Sequence, residues 1–280
     1  MREGLIVVGK TWFITGAGRG FGKEFARAAL GRGDRVAATA RDIGALADLA
    51  DEYGAGFLPL ALDVTEREAV FAAVADAYGA FGGLDVVVNN AGYGLFGAVE
   101  EVGAEELRQQ LEVNVLGPFH VTQAVLPILR EQGRGHIIQI SSSGGVVAFP
   151  LLGAYHASKW ALEGLSESLA QETAHLGIKV SLVEPGGYRT DWGGASAVRA
   201  AGQPPYQPVR EALAVAAARN PSYDPADAGA AILALADAEQ PPLRVFFGTS
   251  PYAQVEKTYQ ARLETWQQGR DIAELAAGNR

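Results

Sequence analysis

The stretch that decides the fold is KTWFITGAGRGFGKEFARAALGRG, residues 10–33 of a chain of 280 residues. An apolar, β-rich run at residues 10–15 is followed at once by a glycine-rich turn and then by a helical pattern over about residues 21–32. Strands that are buried on both faces of a parallel sheet typically show such continuous apolar runs. The stretch therefore predicts one strand–turn–helix unit of an α/β fold.

The same alternation of strand and helix continues along the chain. Further continuous apolar runs, which we interpret as strands, occupy residues 35–40, 57–61, 84–89, 136–141, 178–183 and 243–247. Helical patterns separate them at about residues 43–53, 66–80, 104–131, 153–176 and 225–238. This order predicts right-handed crossovers and a doubly wound, Rossmann-type parallel sheet flanked by helices.

We expect a single domain over residues 1–280, with two additions. Residues 186–224 are rich in glycine, proline and aromatic residues, and a long segment of this kind in a compact domain is usually functional or disordered. We interpret it as a substrate loop or lid. Beyond the last strand, an amphipathic C-terminal extension covers about residues 251–280.

Composition excludes several classes of function. The formal charge of −9 argues against a nucleic-acid partner, which requires a basic surface, and the absence of cysteine excludes disulfides and thiolate metal sites. The four histidines show no metal-ligand spacing, so no metal is expected. The longest uncharged run, residues 135–158, carries too many polar residues and glycines for a lipid-facing helix. We expect a cytoplasmic protein without a membrane partner.

The glycine-rich turn spans residues 15–22, TGAGRGFG. Glycines after a strand let the backbone turn tightly and approach a pyrophosphate, which then lies at the positive end of the following helix. The general G-x-G-x-x-G fingerprint is absent; the pattern is T-G-x-x-x-G-x-G, with Gly16, Gly20 and Gly22. Its position favours a dinucleotide site over a turn that binds nothing, although the turn alone leaves both interpretations open.

Two arginines indicate which dinucleotide would bind. The second strand ends in Ala40-Arg41, where an acidic residue would hold the ribose hydroxyls of NAD. Arg19, inside the glycine turn, is a second cation that could reach the same place. Two guanidinium groups favour a 2′-phosphate, so NADP(H) is expected over NAD(H), the alternative being two solvated surface arginines.

A candidate catalytic pair lies at Tyr155 and Lys159. The two residues are four apart in a helical stretch, so they share a face, and an ammonium beside a phenol is expected to lower the phenol pKa. Y-x-x-x-K alone also fits a surface pair. The strand just before it, however, ends in three serines, residues 141–143, at the sheet edge where open α/β folds bind ligands.

These features together resemble the classical short-chain dehydrogenase/reductase family over about residues 10–250. The motifs that carry the resemblance occur in the family's order, and they are Thr15–Gly22, Asp63 in LDVT, Asn89-Asn90-Ala91-Gly92, Asn114, Ser142, Tyr155 with Lys159, and Pro185-Gly186 with Thr190. Ser142 stands thirteen residues before Tyr155, which is the family's usual spacing.

The resemblance implies a catalytic role for four residues. Tyr155 would exchange a proton with the substrate oxygen, and Ser142 would hydrogen-bond the same oxygen. Lys159 would lower the tyrosine pKa and hold the nicotinamide ribose, and Asn114 would place a water that links Lys159 to solvent.

The resemblance also completes the expected cofactor site. Its candidate residues are Gly16, Gly18, Arg19, Gly20, Phe21, Gly22, Arg41, Asp63, Val64, Asn90, Ala91, Gly92, Tyr155, Lys159, Pro185, Gly186, Tyr188 and Thr190. Within this set Asp63 would contact the adenine, and the segment from Pro185 to Thr190 would hold the nicotinamide carboxamide. Tyr188 departs from the family, which usually carries a small aliphatic residue there.

The implied function is NADP-dependent interconversion of a ketone or aldehyde and an alcohol on a small, moderately apolar molecule. Candidate substrate contacts are Ser142, Ser143, Phe149, Tyr188 and Trp192, and more distant candidates are Tyr93, Phe96, Leu152 and Tyr206. Relatives of this kind are usually homodimers or homotetramers. Two alternatives are a nonenzymatic NADP-binding sensor or scaffold and an extended-type epimerase or dehydratase. The latter usually has T-G-x-x-G-x-x-G, which the turn here does not match.

Overall fold

The computed structural model describes residues 9–194, 196–217 and 222–278. The strands in these residues are β1 (Thr11–Ile14), β2 (Arg35–Ala40), β3 (Phe57–Ala61), β4 (Val86–Asn89), β5 (Leu95–Phe96), β6 (Gly135–Ile140), β7 (Ile178–Pro185), β8 (Val198–Arg199) and β9 (Arg244–Phe247). Seven of them form one parallel sheet in the order β3-β2-β1-β4-β6-β7-β9, and β5 pairs with β8 separately.

The helices alternate with these strands and cover both faces of the sheet. They are α1 (Gly20–Gly31), α2 (Ala47–Tyr53), α3 (Arg67–Phe81), α4 (Ala104–Leu111), α5 (Gly117–Gln132), α6 (Gly153–Thr173), α7 (Gln207–Ala217), α8 (Ala228–Asp237), α9 (Tyr252–Gln268) and α10 (Arg270–Ala276). The predicted doubly wound α/β fold is confirmed. None of the described helices has the length and apolar character needed to cross a bilayer.

The continuous apolar runs follow from burial of the sheet on both faces. In β1, Trp12 and Ile14 pack with residues of α1 and α8, whereas Phe13 points to the opposite face, where α3 and α5 pack. All three side chains are fully buried. Burial of each large apolar side chain stabilises the fold by about 1.5–3 kcal/mol, so both faces of the strand favour apolar residues.

The strand order reverses between β1 and β4. From β1 the chain moves outward to β2 and β3, then returns to the other side of β1 at β4. Such a switch point opens a crevice at the carboxyl ends of the two strands. Thr15 joins the two ends, because its backbone N–H donates to Val88 O at 3.0 Å and its Oγ1 accepts the N–H groups of Asn90 and Ala91.

The single helix expected over residues 104–131 is wrong in detail. A π-helical turn, Glu112–Leu116, separates α4 from α5, and the Gly117 N–H donates to Glu112 O, five residues earlier. Pro118 has no N–H, so it removes the donor that an α-helix would supply to the carbonyl of Asn114. The distortion therefore centres on a predicted catalytic residue.

The segment at residues 186–224 is more than a loop. It contains β8, which pairs with β5, and the helix α7. Two interactions tie this part of the chain to residues 98–102: an ion pair joins Arg210 to Glu101, and Tyr206 Oη donates to Glu100 at 2.5 Å. Residues 1–8, 195, 218–221 and 279–280, which belong to the expected domain, lie outside the described residues.

Candidate active site

The glycine turn packs directly against the end of β4. A Cβ on Gly16 would lie 2.8 Å from Ala91 Cα, and one on Gly22 would lie 2.5 Å from Asn90 Nδ2. Asn90 Nδ2 in turn donates to Thr15 O and Gly16 O, both at 3.0 Å. Side chains at these glycines would push the turn off the sheet, so the turn shape depends on the glycines and on Asn90 together.

The turn presents the start of α1 to an open space. Gly20 has a positive φ of 55°, and a Cβ there would meet only Thr190 Cβ, at 4.0 Å. The cap residue Arg19 makes no side-chain capping bond, and the first turn carries no acidic residue. The unpaired N–H groups and the positive helix end suit a phosphate anion. These residues therefore fit the pyrophosphate of a dinucleotide.

Both predicted specificity arginines, Arg19 and Arg41, are exposed, and neither forms an ion pair with a carboxylate among the described residues. The turn runs beside the end of β2, since a Cβ on Gly18 would lie 3.4 Å from Ala40 Cβ. Asp42, an acidic neighbour that the sequence interpretation did not consider, is engaged locally: its Oδ1 accepts the Gly44 N–H at 2.9 Å. This edge of the sheet therefore offers two exposed arginines that form no ion pair within the described residues.

At the end of β3, Asp63 and Val64 have different surroundings. Asp63 is exposed, and its Oδ1 accepts both the N–H and the hydroxyl of Thr65, at 3.0 and 2.8 Å. Val64 is buried, and its Cγ2 lies 2.7 Å from where a Cβ on Gly117 would be. Of the two side chains, only that of Asp63 is exposed.

The three predicted reactive side chains come together at the carboxyl end of β6. Tyr155 and Lys159 lie on α6 with about 5% and 6% of their surfaces exposed. The Lys159 Nζ is 5.9 Å from the centroid of the Tyr155 ring. Ser142 Oγ accepts the Gly144 N–H at 3.0 Å, and the Ser142 side chain is close enough to Tyr155 to lower the pKa of that phenol.

The expected lowering of the Tyr155 pKa is wrong for this arrangement. Burial raises the pKa of Tyr155 to about 12, and the Ser142 hydrogen bond offsets this only partly. Lys159 forms no hydrogen bond with the phenol oxygen; its Nζ donates to Ile140 O at 2.8 Å. Burial also lowers the pKa of Lys159 to about 8, against the attraction of Glu163. Tyr155 is thus a neutral phenol at neutral pH, and so a proton donor.

Asn114 is fully buried in the π-helical turn and joins three parts of the site. Its Nδ2 donates to Tyr93 O and Ser158 Oγ, both at 3.0 Å, and its Oδ1 accepts the Tyr93 N–H at 3.1 Å. A Cβ on Gly92 would lie 3.0 Å from Asn114 Oδ1 and 3.7 Å from Lys159 Nζ. Asn114 and Lys159 therefore both lie next to Gly92.

Gly186 and Tyr188, in the segment after β7, lie in two different surroundings. Gly186 is held by its N–H, which donates to Phe247 O at 3.0 Å, and a Cβ there would lie 2.5 Å from Ser250 Oγ. Tyr188 packs on Phe21, with ring centroids 4.8 Å apart, and on Tyr223 at 5.3 Å. The structure thus puts Tyr188 and Phe21 in one packing cluster beside α1, and it does not bring Tyr188 to the aromatic group over Tyr155.

That aromatic group is built around Trp192. Its ring centroid lies 4.9 Å from that of Tyr155 and 5.1 Å from that of Phe96, so it accounts for much of the burial of Tyr155. Phe149 and Ser143 lie in the turn between Ser142 and α6, and both are partly exposed. Leu152 forms a β-bridge to Gly97 near the same place. Tyr206 instead holds Glu100, as described above.

The sequence interpretation missed a charged cluster behind Lys159. Glu163, one helical turn further along α6, and Glu184 on β7 are buried, and the Arg244 guanidinium lies 3.0 Å from Glu163 Oε2 and 3.7 Å from Glu184 Oε1. Burial raises the pKa of Glu184 to about 8. The spacing of Glu163 from Lys159 was the available signal. Within the described ranges, no group of three or more acidic or histidine side chains could hold a metal ion.

Comparisons with known proteins agree with this geometry. Residues 10–198 match the family model described as short chain dehydrogenase. The chain is 43% identical over 243 residues to the oxidoreductase BOA17 of Botryotinia fuckeliana, covering 85% of this chain and 89% of that protein. It is also 37% identical over 191 residues to the NADPH-dependent 3-dehydrocapnine reductase of Ornithobacterium rhinotracheale, covering 66% and 68% of the two chains.

Among solved structures, a short-chain dehydrogenase from Streptomyces avermitilis is similar over most of the molecule. The TM-score is 0.87 at 39% sequence identity, covering 95% of this chain and 99% of that one. The chain belongs to the short-chain dehydrogenase/reductase family, and it is an NAD(P)-dependent oxidoreductase.

Proposed function

We propose that this protein reduces a ketone or aldehyde to an alcohol on a small, moderately apolar molecule, with NADPH as the hydride donor. The observation that carries the proposal is the buried phenol of Tyr155 beside the Ser142 hydroxyl. A phenol with a pKa of about 12 holds its proton at neutral pH, which is the state that a carbonyl oxygen requires from a general acid. The same residues would serve the oxidative direction at higher pH.

The roles of the side chains follow from their positions. The nicotinamide, when bound, supplies the hydride. Tyr155 donates its proton to the carbonyl oxygen, and Ser142 donates a hydrogen bond to the same oxygen, whose negative charge grows as the reaction proceeds. Lys159 supplies positive charge beside Tyr155, and Asn114 keeps α6 and Tyr93 in register around it.

The proposed preference for NADP(H) is based on two arginines at the edge of the sheet, next to the end of β2. Arg19 and Arg41 are exposed there, without a carboxylate partner in the described part of the chain, and a 2′-phosphate would supply the missing negative charge. The name of the Ornithobacterium relative, which specifies NADPH, supports the same choice. Asp42 uses one carboxylate oxygen, Oδ1, to accept the Gly44 N–H of its own turn, and we propose that it does not act as an NAD-selective acid.

The substrate class rests on the walls around Tyr155. Trp192 lies against Tyr155, Phe96 lies against Trp192, and Phe149 lies in the turn after Ser142, so the nearest large side chains are aromatic, although the Arg199 guanidinium lies over the Phe96 ring at 4.6 Å. We propose an apolar substituent next to the carbonyl for this reason. We also propose a cytoplasmic location and a homodimer or homotetramer built on α5 and α6, which expose Phe119 and Leu165.

The experiment is a carbonyl panel with purified protein. NADPH and then NADH are mixed with ketones and aldehydes of graded size, and the loss of reduced-nicotinamide absorbance is followed. We expect turnover with NADPH, best on substrates with an apolar substituent. Cofactor binding without turnover of any carbonyl would instead favour the nonenzymatic alternative.

A further inference from the structure

The segment between Ser142 and α6 is held by side chains that the mechanism above does not use. His156 follows Tyr155 on α6, is about 5% exposed, and lies between two backbone groups of this segment. Its Nε2 accepts the Phe149 N–H at 2.8 Å, and its Nδ1 is 2.8 Å from Gly144 O. The imidazole therefore spans the segment from one end to the other.

These two bonds determine the chemical state of His156. An N–H group can bond to Nε2 only if that nitrogen carries no proton, so Nδ1 must carry the single proton and donate it to Gly144 O. The ring is thus neutral. Burial lowers the pKa of His156, which agrees with a neutral ring at physiological pH. The ring also packs closely, since a Cβ on Gly144 would lie 2.8 Å from its Nδ1.

A second attachment comes from the C-terminal helix. Arg262 of α9 donates from Nη1 to Val146 O at 2.7 Å. Its guanidinium lies over the Trp160 ring at 4.7 Å and the Tyr259 ring at 5.0 Å, which holds it in one orientation. Trp160 itself donates from Nε1 to Gly144 O at 3.1 Å. Arg262 lies beyond residue 198, where the family-model match ends.

Through Gly144, these contacts also affect the candidate catalytic serine, Ser142. The Gly144 N–H donates to Ser142 Oγ at 3.0 Å, so the residue whose carbonyl is held by His156 and Trp160 also orients the Ser142 hydroxyl. At the other end, the Phe149 ring lies 5.7 Å from the His156 ring. One imidazole thereby controls both the serine and a wall of the substrate site.

We propose that His156 and Arg262 are positioning residues that hold residues 143–149, with His156 acting on Ser142 through Gly144 and on the substrate wall through Phe149. The proposal rests on the proposed function, because it assigns Ser142 to catalysis. Neither residue touches the reacting atoms. Loss of either is expected to misplace groups that do.

The first test is independent of activity. In protein labelled with ¹⁵N-histidine, NMR correlations between the ring nitrogens and carbons identify the protonated nitrogen. We expect His156 to be neutral with the proton on Nδ1, and the Phe149 amide to exchange slowly with solvent. A proton on Nε2, or rapid exchange of the Phe149 amide, overturns the proposal whether or not a substrate is found.

The second test uses variants that separate the effect of His156 on Ser142 from its effect on the substrate wall. His156→Phe keeps a buried ring without either bond, and we expect kcat to fall and KM to rise, each about tenfold. In His156→Asn the amide replaces the donor to Gly144 O, so kcat should recover more than KM. In a Ser142→Ala background, His156→Phe should cost no further kcat, because the serine through which it acts is gone.

Arg262 is tested in the same assays. Arg262→Ala should raise KM several-fold, and Arg262→Lys, which can still donate to Val146 O, should restore it. Arg270→Ala on α10, whose partner is the exposed Glu274, is the matched control and should leave kcat and KM unchanged. Thermal unfolding and the NADPH Kd verify that each variant is folded. Additive losses of kcat in the His156→Phe and Ser142→Ala double variant would overturn the coupling, whereas a wild-type protein inactive on every carbonyl would overturn only the proposed function.

Discussion

Lys159 Nζ donates to the backbone carbonyl of Ile140 at 2.8 Å, and it forms no hydrogen bond with the phenol oxygen of Tyr155. Ile140 is the last residue of β6, two positions before Ser142, so the ammonium is held at the sheet edge. Tyr155 meanwhile keeps a pKa of about 12, and Lys159 has one of about 8. Near neutral pH the site therefore holds a neutral phenol and a charged ammonium.

The pH profile of the free enzyme should follow Lys159. Its folded pKa of about 8 lies below its ordinary value of 10.5, so its charge is present below about pH 8 and is lost as the pH rises above it. We expect kcat/KM for carbonyl reduction to fall about tenfold per pH unit above that point. Lys159→Met should reduce kcat about a hundredfold and abolish the fall of kcat/KM above about pH 8. A wild-type profile that stays flat well above pH 8 would contradict the assignment.

Tyr155→Phe removes the proton donor and preserves the ring under Trp192. General acid catalysis contributes about a hundred- to ten-thousandfold, so we expect kcat to fall by about a thousandfold. NADPH binding should be little changed, because the substitution leaves the glycine turn intact. Stopped-flow measurement of kcat, with fluorescence titration of NADPH, checks both parts. Tyr78→Phe, a partly exposed tyrosine on α3, is the control.

Arg41→Asp should reverse the cofactor preference. The substitution puts a carboxylate where the 2′-phosphate of NADP would lie and where the ribose hydroxyls of NAD could be held. We expect the ratio of NADPH to NADH affinity to fall by about a hundredfold, and Arg19→Ala to lower it by about tenfold. Arg108→Ala, on the exposed surface of α4, should leave the ratio unchanged. Equal losses for both cofactors in Arg41→Asp would point to a general electrostatic role instead.

Sequence patterns predict those parts of this structure that depend on local chain properties. The seven sheet strands were located because residues such as Trp12 and Phe13 are buried on opposite faces, which leaves a continuous apolar run. The glycine turn can be predicted because Gly16 and Gly22 stand where a Cβ atom would collide with a neighbouring residue. The sequence must therefore keep glycine at both positions. Ser142, Tyr155 and Lys159 then follow from strand and helix positions alone.

Other features depend on contacts between distant parts of the chain. Burial raises the pKa of Tyr155, and Trp192, from the segment after β7, lies over its ring; no local pattern contains that contact. From its place in the segment after β7, Tyr188 is predicted to line the substrate pocket. It packs instead on Phe21, because β7 ends beside α1. The π-helical turn at Asn114 had a local signal, the missing N–H of Pro118, which the helical periodicity concealed.

Trp192→Ala should widen the substrate range. The indole lies against Tyr155 and Phe96, so its removal opens space next to the phenol. We expect the kcat/KM ratio of a bulky aryl ketone to a small aliphatic ketone to rise by about tenfold. Trp266→Ala, a tryptophan of α9 that is 72% exposed, should not alter the ratio. Equal loss for all ketones in Trp192→Ala would mean that the indole acts by excluding water and not by limiting size.

Acid should destabilise the protein through His136. This residue is buried on β6, its Nε2 lies 2.9 Å from Ser181 Oγ, and burial lowers its pKa to about 3 from the usual 6.5. Between those two values the unfolded chain binds a proton that the folded protein does not, so the free energy of unfolding falls as the pH falls. At about 1.4 kcal/mol per unit, the loss is at most about 4–5 kcal/mol.

His136→Gln retains a donor to Ser181 Oγ and removes the titrating ring. We expect denaturant unfolding of the variant to show a shallower loss of stability than the wild type between pH 6.5 and 4. His175→Gln, at an exposed histidine beyond α6, should follow the wild-type slope. Parallel slopes for the wild type and His136→Gln would mean that other groups, such as the ion-paired Asp237 and Asp48, account for acid unfolding.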